Sequence, residues 1–249
     1  MEIERRKFQG VLNILSFNRH FYVFGLIALS LLIGSHFVFP WPKALLYLVI
    51  FAFAYGLFMP LVISAHVYDF SGFYNFDWLR NLNLEDGPQH LNLNINAGFD
   101  ETSFLIKNIL PRSELQVYDF YDAERHTEPA IVRARKVSLV YPNTQEINSG
   151  EIPLQDNSVD NVFLISAIHE IRRHEEKVQF LRECKRVCKA DGNIIMVEHL
   201  RDFPNFLAFT VGFTHFFSSA TWKKAYKEAG FETIKESKFT AFMSIFICK

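Results

Sequence analysis

Between Glu151 and Asp202 the residue order leaves the chain little choice of local structure. Ile152-Pro153-Leu154-Gln155-Asp156-Asn157-Ser158-Val159-Asp160 leads into the apolar run Val162 to Ile165; a charged amphipathic segment follows, and Ala190-Asp191-Gly192 opens a second apolar run, Ile194 to Val197. Two buried strands joined by a helix of this length make a parallel crossover, because parallel neighbours need a connection of a dozen or more residues. The expected fold is therefore α/β, with ligands at the carboxyl ends of the strands.

A second feature sits ahead of that domain. Phe21 to Phe39 carries no charged residue apart from an ionisable His36, and Ala44 to Ala65 carries none. Runs of about 19 and about 22 residues meet the length of roughly 20 that crosses a bilayer core as helix. Only Pro40-Trp41-Pro42-Lys43 separates them, a tight turn with an interfacial Trp, so a two-helix transmembrane hairpin is expected over 21–65. A cleaved signal peptide has a shorter apolar core and no second apolar segment directly after it. The hydrophobic content of 49% and the 27 Phe agree with a membrane protein. Arg5, Arg6, Lys7 and Arg19 precede the first run while the turn offers only Lys43, which places the N-terminus and the domain on the cytoplasmic side.

Residues 1–20 form an N-terminal segment in which Phe8, Val11, Leu12 and Leu15 recur at helical spacing; it suits either an interfacial helix or one packed on the domain. Residues 66–88 are aromatic and polar, which suits a membrane-to-domain linker beside the substrate entrance or a plain structural elbow. From Gln89 onward, strands at Leu91–Ile95, Leu115–Phe120 and Val137–Val140 alternate with helices at Glu101–Ile109 and Pro129–Lys136. A half-buried apolar segment, Phe206–Phe217, and a helix at Thr221–Ala229 precede closing strands near Phe231–Glu236 and Phe242–Cys248. Cys184, Cys188 and Cys248 are too few and wrongly spaced for a zinc site or a disulfide framework, and no metal site is expected. A net charge of -1 and the lack of a basic, aromatic-interleaved run give no case for nucleic acid.

The phrase Ile152-Pro153-Leu154 to Asp160, together with Glu183-Cys184-Lys185-Arg186-Val187-Cys188-Lys189-Ala190-Asp191-Gly192, resembles the later motifs of class I S-adenosylmethionine-dependent methyltransferases, the ubiquinone/menaquinone-biosynthesis type, over residues 89–249. The resemblance implies a Rossmann-like sheet and S-adenosylmethionine as cofactor. It aligns the glycine-rich donor loop with Asn94, Ile95, Asn96, Ala97, Gly98, Phe99 and Asp100, where only Gly98 stands at a glycine position. It also implies that Asp119, with Asp122 behind it, holds the ribose hydroxyls, that Glu151 and Ile152 lie near the adenine, and that Ser166 ends the fourth strand beside the donor.

The two strand ends of the crossover carry the candidate chemistry. His169 and Glu170 follow the first, His199 and Arg201 follow the second, and His215 lies in the apolar segment beyond. Charged groups at such an edge are expected to be paired or functional. Either His169 or His199 would serve as base toward an acceptor, and since neighbours on a strand point to opposite faces, Glu198 is expected to pair across the strands rather than with His199. The expected function is a membrane-anchored methyltransferase acting on a hydrophobic acceptor resident in the bilayer: a lipid, a quinone-like compound or an aryl-polyene or polyketide pigment precursor. Partner enzymes or a second copy of the chain are compatible with it. A non-catalytic membrane adaptor with a degenerate fold, suggested by the depleted glycine loop, and a tethered enzyme for soluble acceptors are the alternatives.

Overall fold

A computed structural model describes residues 5–125 and 128–249; the first residues of the N-terminal segment, Ile3 among them, lie outside this range. Helices α1 (Gln9–Phe17), α2 (Arg19–Val38) and α3 (Lys43–Ser64) come first, and a π-helical turn (Ala65–Phe70) and the short α4 (Asp77–Arg80) lead to the sheet. The remainder is β1 (Leu91–Asn96), α5 (Ser103–Ile109), β2 (Glu114–Asp119), α6 (Pro129–Arg135), β3 (Gln145–Glu146), β4 (Val159–Ile165), α7 (His174–Val187), β5 (Cys188–His199), α8 (Phe203–Phe209), α9 (Ser219–Glu228), β6 (Ile234–Lys238) and β7 (Met243–Cys248). The described strands form one sheet in the order β3-β2-β1-β4-β5-β7-β6. Strands β1 to β5 are parallel, and β7 runs antiparallel to both its neighbours. The order reverses between β1 and β4, which is where such a sheet opens a crevice for a ligand.

Strand alternation builds two cores. Leu93, Ile95, Val162, Leu164, Ile194 and Met196 face one layer with α7 and α9, where Phe180, Leu181, Trp222 and Tyr226 are buried. Phe163, Ile165, Ile195, Val197 and Ile245 face the other. The aromatic segment after α3 covers this second face: Val67, Phe73, Phe76, Trp78 and Leu79 are all buried in it. Within residues 66–88, these five side chains join the core of the domain.

Several boundaries move. No strand forms at Val137–Val140; Val137, Leu139 and Val140 are exposed, and the third strand is Gln145–Glu146, paired with Tyr118 and Asp119. Strand β5 runs through Ala190-Asp191-Gly192 instead of starting after a turn, at the cost of a register shift opposite Val159 and Asn161. Gly192 is needed there, since a Cβ would sit 2.6 Å from the Asp160 carbonyl oxygen. Cys184 lies on α7 and Cys188 opens β5; both are buried thiols. The apolar stretch after β5 divides into α8 and a 3-10 turn, Thr210–His215, with Asp202 capping α8 by accepting from the Asn205 amide.

Helix α2 and the helical run that starts at Lys43 are long and apolar enough to cross a membrane by length and composition. Helix α2 has no buried residue, and Phe24, Leu31 and Phe37 stand bare on it. Helix α1 packs on the domain: the Gly10 amide donates to Asp69, and Phe17 is buried edge-on to Phe99.

Candidate functional site

The carboxyl ends of β1 and β4 meet at the switch point and leave buried polar atoms without partners among the described residues: Asn94 Oδ1, Asn96 Nδ2, Asp100 Oδ2 and Ser166 Oγ. Buried polar groups are normally paired, so these four unpartnered atoms at the carboxyl ends of β1 and β4 could take up a polar ligand. The loop itself is firmly held. Asn94 Nδ2 donates to Thr102 and Ser103, the Gly98 amide donates to Asn96 Oδ1 at 2.7 Å, and Asp100 Oδ1 accepts from the amides of Thr102 and Ser103. Burial pushes the Asp100 carboxyl up, against those hydrogen bonds. Asn96 supplies the turn-closing acceptor, and Gly98, at φ +79°, takes the left-handed conformation that its lack of a Cβ allows. Two glycines absent from the loop are thus replaced by side-chain hydrogen bonding.

Asp119 ends β2 beside this loop. One of its oxygens accepts from the Tyr121 amide, and the other is paired at 2.5 Å with Arg135, whose guanidinium also reaches the Ala97 carbonyl and lies over the Tyr121 ring. The guanidinium occupies the space that a side chain on residue 98 would fill, 1.4 Å from that Cβ position. Arg135 was not evident in the sequence, because nothing in a basic residue closing a helix says that it folds back over a loop. Asp122 turns away to Arg125 and accepts from the Glu124 amide. Glu151 is exposed, and Ile152 is buried with its amide donating to Glu183. Ile147, whose amide donates to the Asp119 carbonyl, is the residue of that loop tied to the site.

On the far side of β4 a second constellation forms. The 3-10 turn Ile168–Glu170 brings His169 Nδ1 to 2.8 Å from Glu198 Oε2 on β5 and His169 Nε2 to 3.5 Å from Glu170. His215 stands edge-on to His169, ring centres 5.0 Å apart, with its Nδ1 3.0 Å from Glu128. Burial lowers the basicity of His169, but Glu198 and Glu170 outweigh it and raise its pKa to about 10. At neutral pH this histidine holds a proton rather than taking one. Glu128 was missed from the sequence, since it reaches His215 only through the packing of separate elements.

His199 and Arg201 are both engaged by hydrogen bonds within the fold. The Tyr68 hydroxyl donates to His199 Nε2 at 2.7 Å, and His199 Nδ1 donates to the Phe242 carbonyl at 2.9 Å. Burial lowers its pKa to about 4, so the ring is neutral and both nitrogens are used. Arg201 clasps the Phe216 and Thr214 carbonyls, fixing the turn that carries His215. The sign of the His199 effect is open to test. Its folded pKa lies below the ordinary value of 6.5, so its contribution is intact above pH 6.5 and is lost as pH falls from 6.5 toward 4, at about 1.4 kcal/mol per pH unit. Thermal melting from pH 7 to 4.5 should show a steeper loss for the native protein than for His199→Gln; equal slopes would rule this out.

Comparison with known proteins places this geometry. Residues 115–196 match a family described as a methyltransferase domain. No curated protein matches the chain in sequence. Among solved structures it is similar to a SAM-dependent methyltransferase from Aquifex aeolicus, at 19% identity and TM-score 0.52, over 76% of this chain and 97% of that one. It is also similar to PigF with SAH, at 15% identity and TM-score 0.50, over 76% and 57%. At such identities the likeness is one of fold.

Proposed function

From the class I, S-adenosylmethionine-dependent methyltransferase domain that this chain carries, we propose that the protein moves a methyl group to an apolar acceptor held at a membrane. The observation that carries the acceptor class is the rim beside His215. Phe203, Phe206, Leu207 and Val211 on α8 and the following turn are exposed together, and Leu207 accepts a hydrogen bond from Tyr55 of α3 at 2.7 Å. Contiguous exposed apolar surface of this kind marks a lipid or ligand contact. Here it adjoins the helices long enough to span a bilayer, with the N-terminus and domain on the cytoplasmic side.

The residues at the switch point fit the donor. S-adenosylmethionine, when bound, supplies a methyl group activated by a sulfonium. Asp119 is the carboxylate suited to two ribose hydroxyls, once Arg135 turns away from it; Gly98 lets backbone approach closely, and Asn96 keeps the turn. The orphaned oxygens of Asn94 and Asp100 suit an ammonium, which needs acceptors. Methyl transfer is an in-line displacement, so the chain's main work is orientation and exclusion of water. The turns bearing His169 and His215 hold the acceptor edge, with Arg172 donating to the carbonyls of both residues at 3.1 and 2.7 Å.

The rim can be tested apart from the donor site. A Phe206→Ser and Val211→Ser double variant should lower methyl transfer to membrane-extracted apolar acceptors by tenfold or more while S-adenosylmethionine affinity stays unchanged. Equal transfer to apolar acceptors by variant and native protein, or native activity confined to water-soluble phenols, would sink the proposal.

A further inference from the structure

We propose that His169, Glu170 and His215 bind one divalent transition-metal cation of the zinc type, with Glu198 and Glu128 orienting the two histidines from behind. The site's place beside the acceptor rim rests on the reading above; the metal ligation rests on geometry alone.

One donor atom from each of His169, Glu170 and His215 lies within 4.8 Å of the others. Ligands about 2.1 Å from a tetrahedral metal stand about 3.4 Å apart, and His169 Nε2 and Glu170 Oε1 are already 3.5 Å apart. Small rotations of the part-exposed His215 close the third edge.

The hydrogen bonds behind the histidines point the same way. Both rings engage a carboxylate through Nδ1, His169 with Glu198 at 2.8 Å and His215 with Glu128 at 3.0 Å. A carboxylate on Nδ1–H fixes the ring so that Nε2 is the nitrogen facing the metal position, its lone pair available once the cation displaces the proton that His169 holds at neutral pH, and it raises the basicity of that nitrogen, the arrangement found behind metal-bound histidines. Two such pairs facing one carboxylate are more than a capped turn needs. Glu198 is almost wholly buried, at 1% side-chain exposure, so its partner ring is held rigidly.

Arg172 Nη1 donates to the backbone carbonyls of His169 and His215, tying the two ligand-bearing turns together. The donor set of two imidazoles and one carboxylate selects a borderline transition metal over magnesium or calcium, which take oxygen ligands. Three protein ligands leave a fourth position, open toward the side where His169 and His215 keep 16% and 28% exposure. An oxygen of the acceptor is the group that position would take.

The test uses full-length protein in detergent, with any affinity tag removed and metal stripped by chelator, titrated with cobalt(II) and then zinc(II). One equivalent of cobalt should bind, with intense visible d–d bands that zinc displaces. His215→Asn, which alters a part-exposed side chain, should weaken binding at least tenfold with melting temperature retained, and Glu170→Gln should weaken it at least tenfold. Glu198→Gln should weaken it by 10–100-fold. His174→Asn, whose ring pairs with Glu228 elsewhere, should bind as native protein. Absence of stoichiometric binding, or native affinity in both ligand variants, would overturn the site and leave a proton-held ion network. Titration of the same preparation with S-adenosylmethionine reads the methyltransferase assignment separately.

Discussion

Asp119→Ala is expected to weaken S-adenosylmethionine binding by at least a hundredfold, measured by calorimetric titration of the full-length protein. A hydrogen bond to a charged group contributes about 1.5–3 kcal/mol. Losing the two that a carboxylate accepts from ribose hydroxyls costs about 3–6 kcal/mol, on the order of 10² to 10⁴ in Kd. Arg135 makes the prediction sharper because it has the opposite sign. In the structure its guanidinium holds Asp119 at 2.5 Å and fills the space over Gly98, so the donor and Arg135 compete for one carboxylate. A partly exposed ion pair is worth about 1 kcal/mol, and Arg135→Ala should therefore tighten donor binding about fivefold. Unchanged affinity in Asp119→Ala would show that the carboxylate serves Arg135 alone. Weaker binding in Arg135→Ala would make the guanidinium part of the donor site rather than its competitor.

The second large effect is one of stability. Glu198 lies under the acceptor edge with 1% side-chain exposure and is paired with His169, which its charge helps to keep protonated. Removing one partner of a buried ion pair strands the other and costs about 3–5 kcal/mol. For a chain of this size that lowers the melting temperature by on the order of 10 °C. Glu198→Gln is the variant of choice because it keeps the shape. Glu175→Gln, on the exposed side of α7, should leave Tm within about 2 °C. Similar melting of both variants would mean that His169 gives up its proton when Glu198 is neutralised, and that the pair does not hold the edge together.

What the sequence made legible, and what it did not, divides along a physical line. Local periodicity announced β4, α7 and β5, whose apolar alternation and amphipathic spacing leave one parallel arrangement. The uncharged runs announced α2 and α3, which need only length and composition. The placement of Gly98 in the loop after β1 and of Asp119 at the end of β2 was legible because both lie at fixed places in the motif order. That Glu198 would pair away from His199 followed from strand geometry; the structure supplies His169 as its partner and Tyr68 as that of His199. Contacts between elements distant in sequence were invisible. Arg135 over Gly98, Glu128 behind His215, and Phe73, Phe76 and Trp78 over the second face of the sheet all depend on how finished elements pack. Val137–Val140 failed as a strand for a related reason: β-propensity describes fit to a half-buried surface, and that run has no neighbour to cover it.

The central claim, methyl transfer to an apolar acceptor at the membrane, is met most directly by following the methyl group itself. Native membranes containing the protein would be incubated with S-adenosylmethionine labelled in its methyl group and then partitioned between organic solvent and water. The expected result is label in the organic extract, saturating with donor, lost in Asp119→Ala and reduced in the Phe206→Ser and Val211→Ser double variant. Label confined to the aqueous phase, or an organic signal that survives Asp119→Ala, would contradict it.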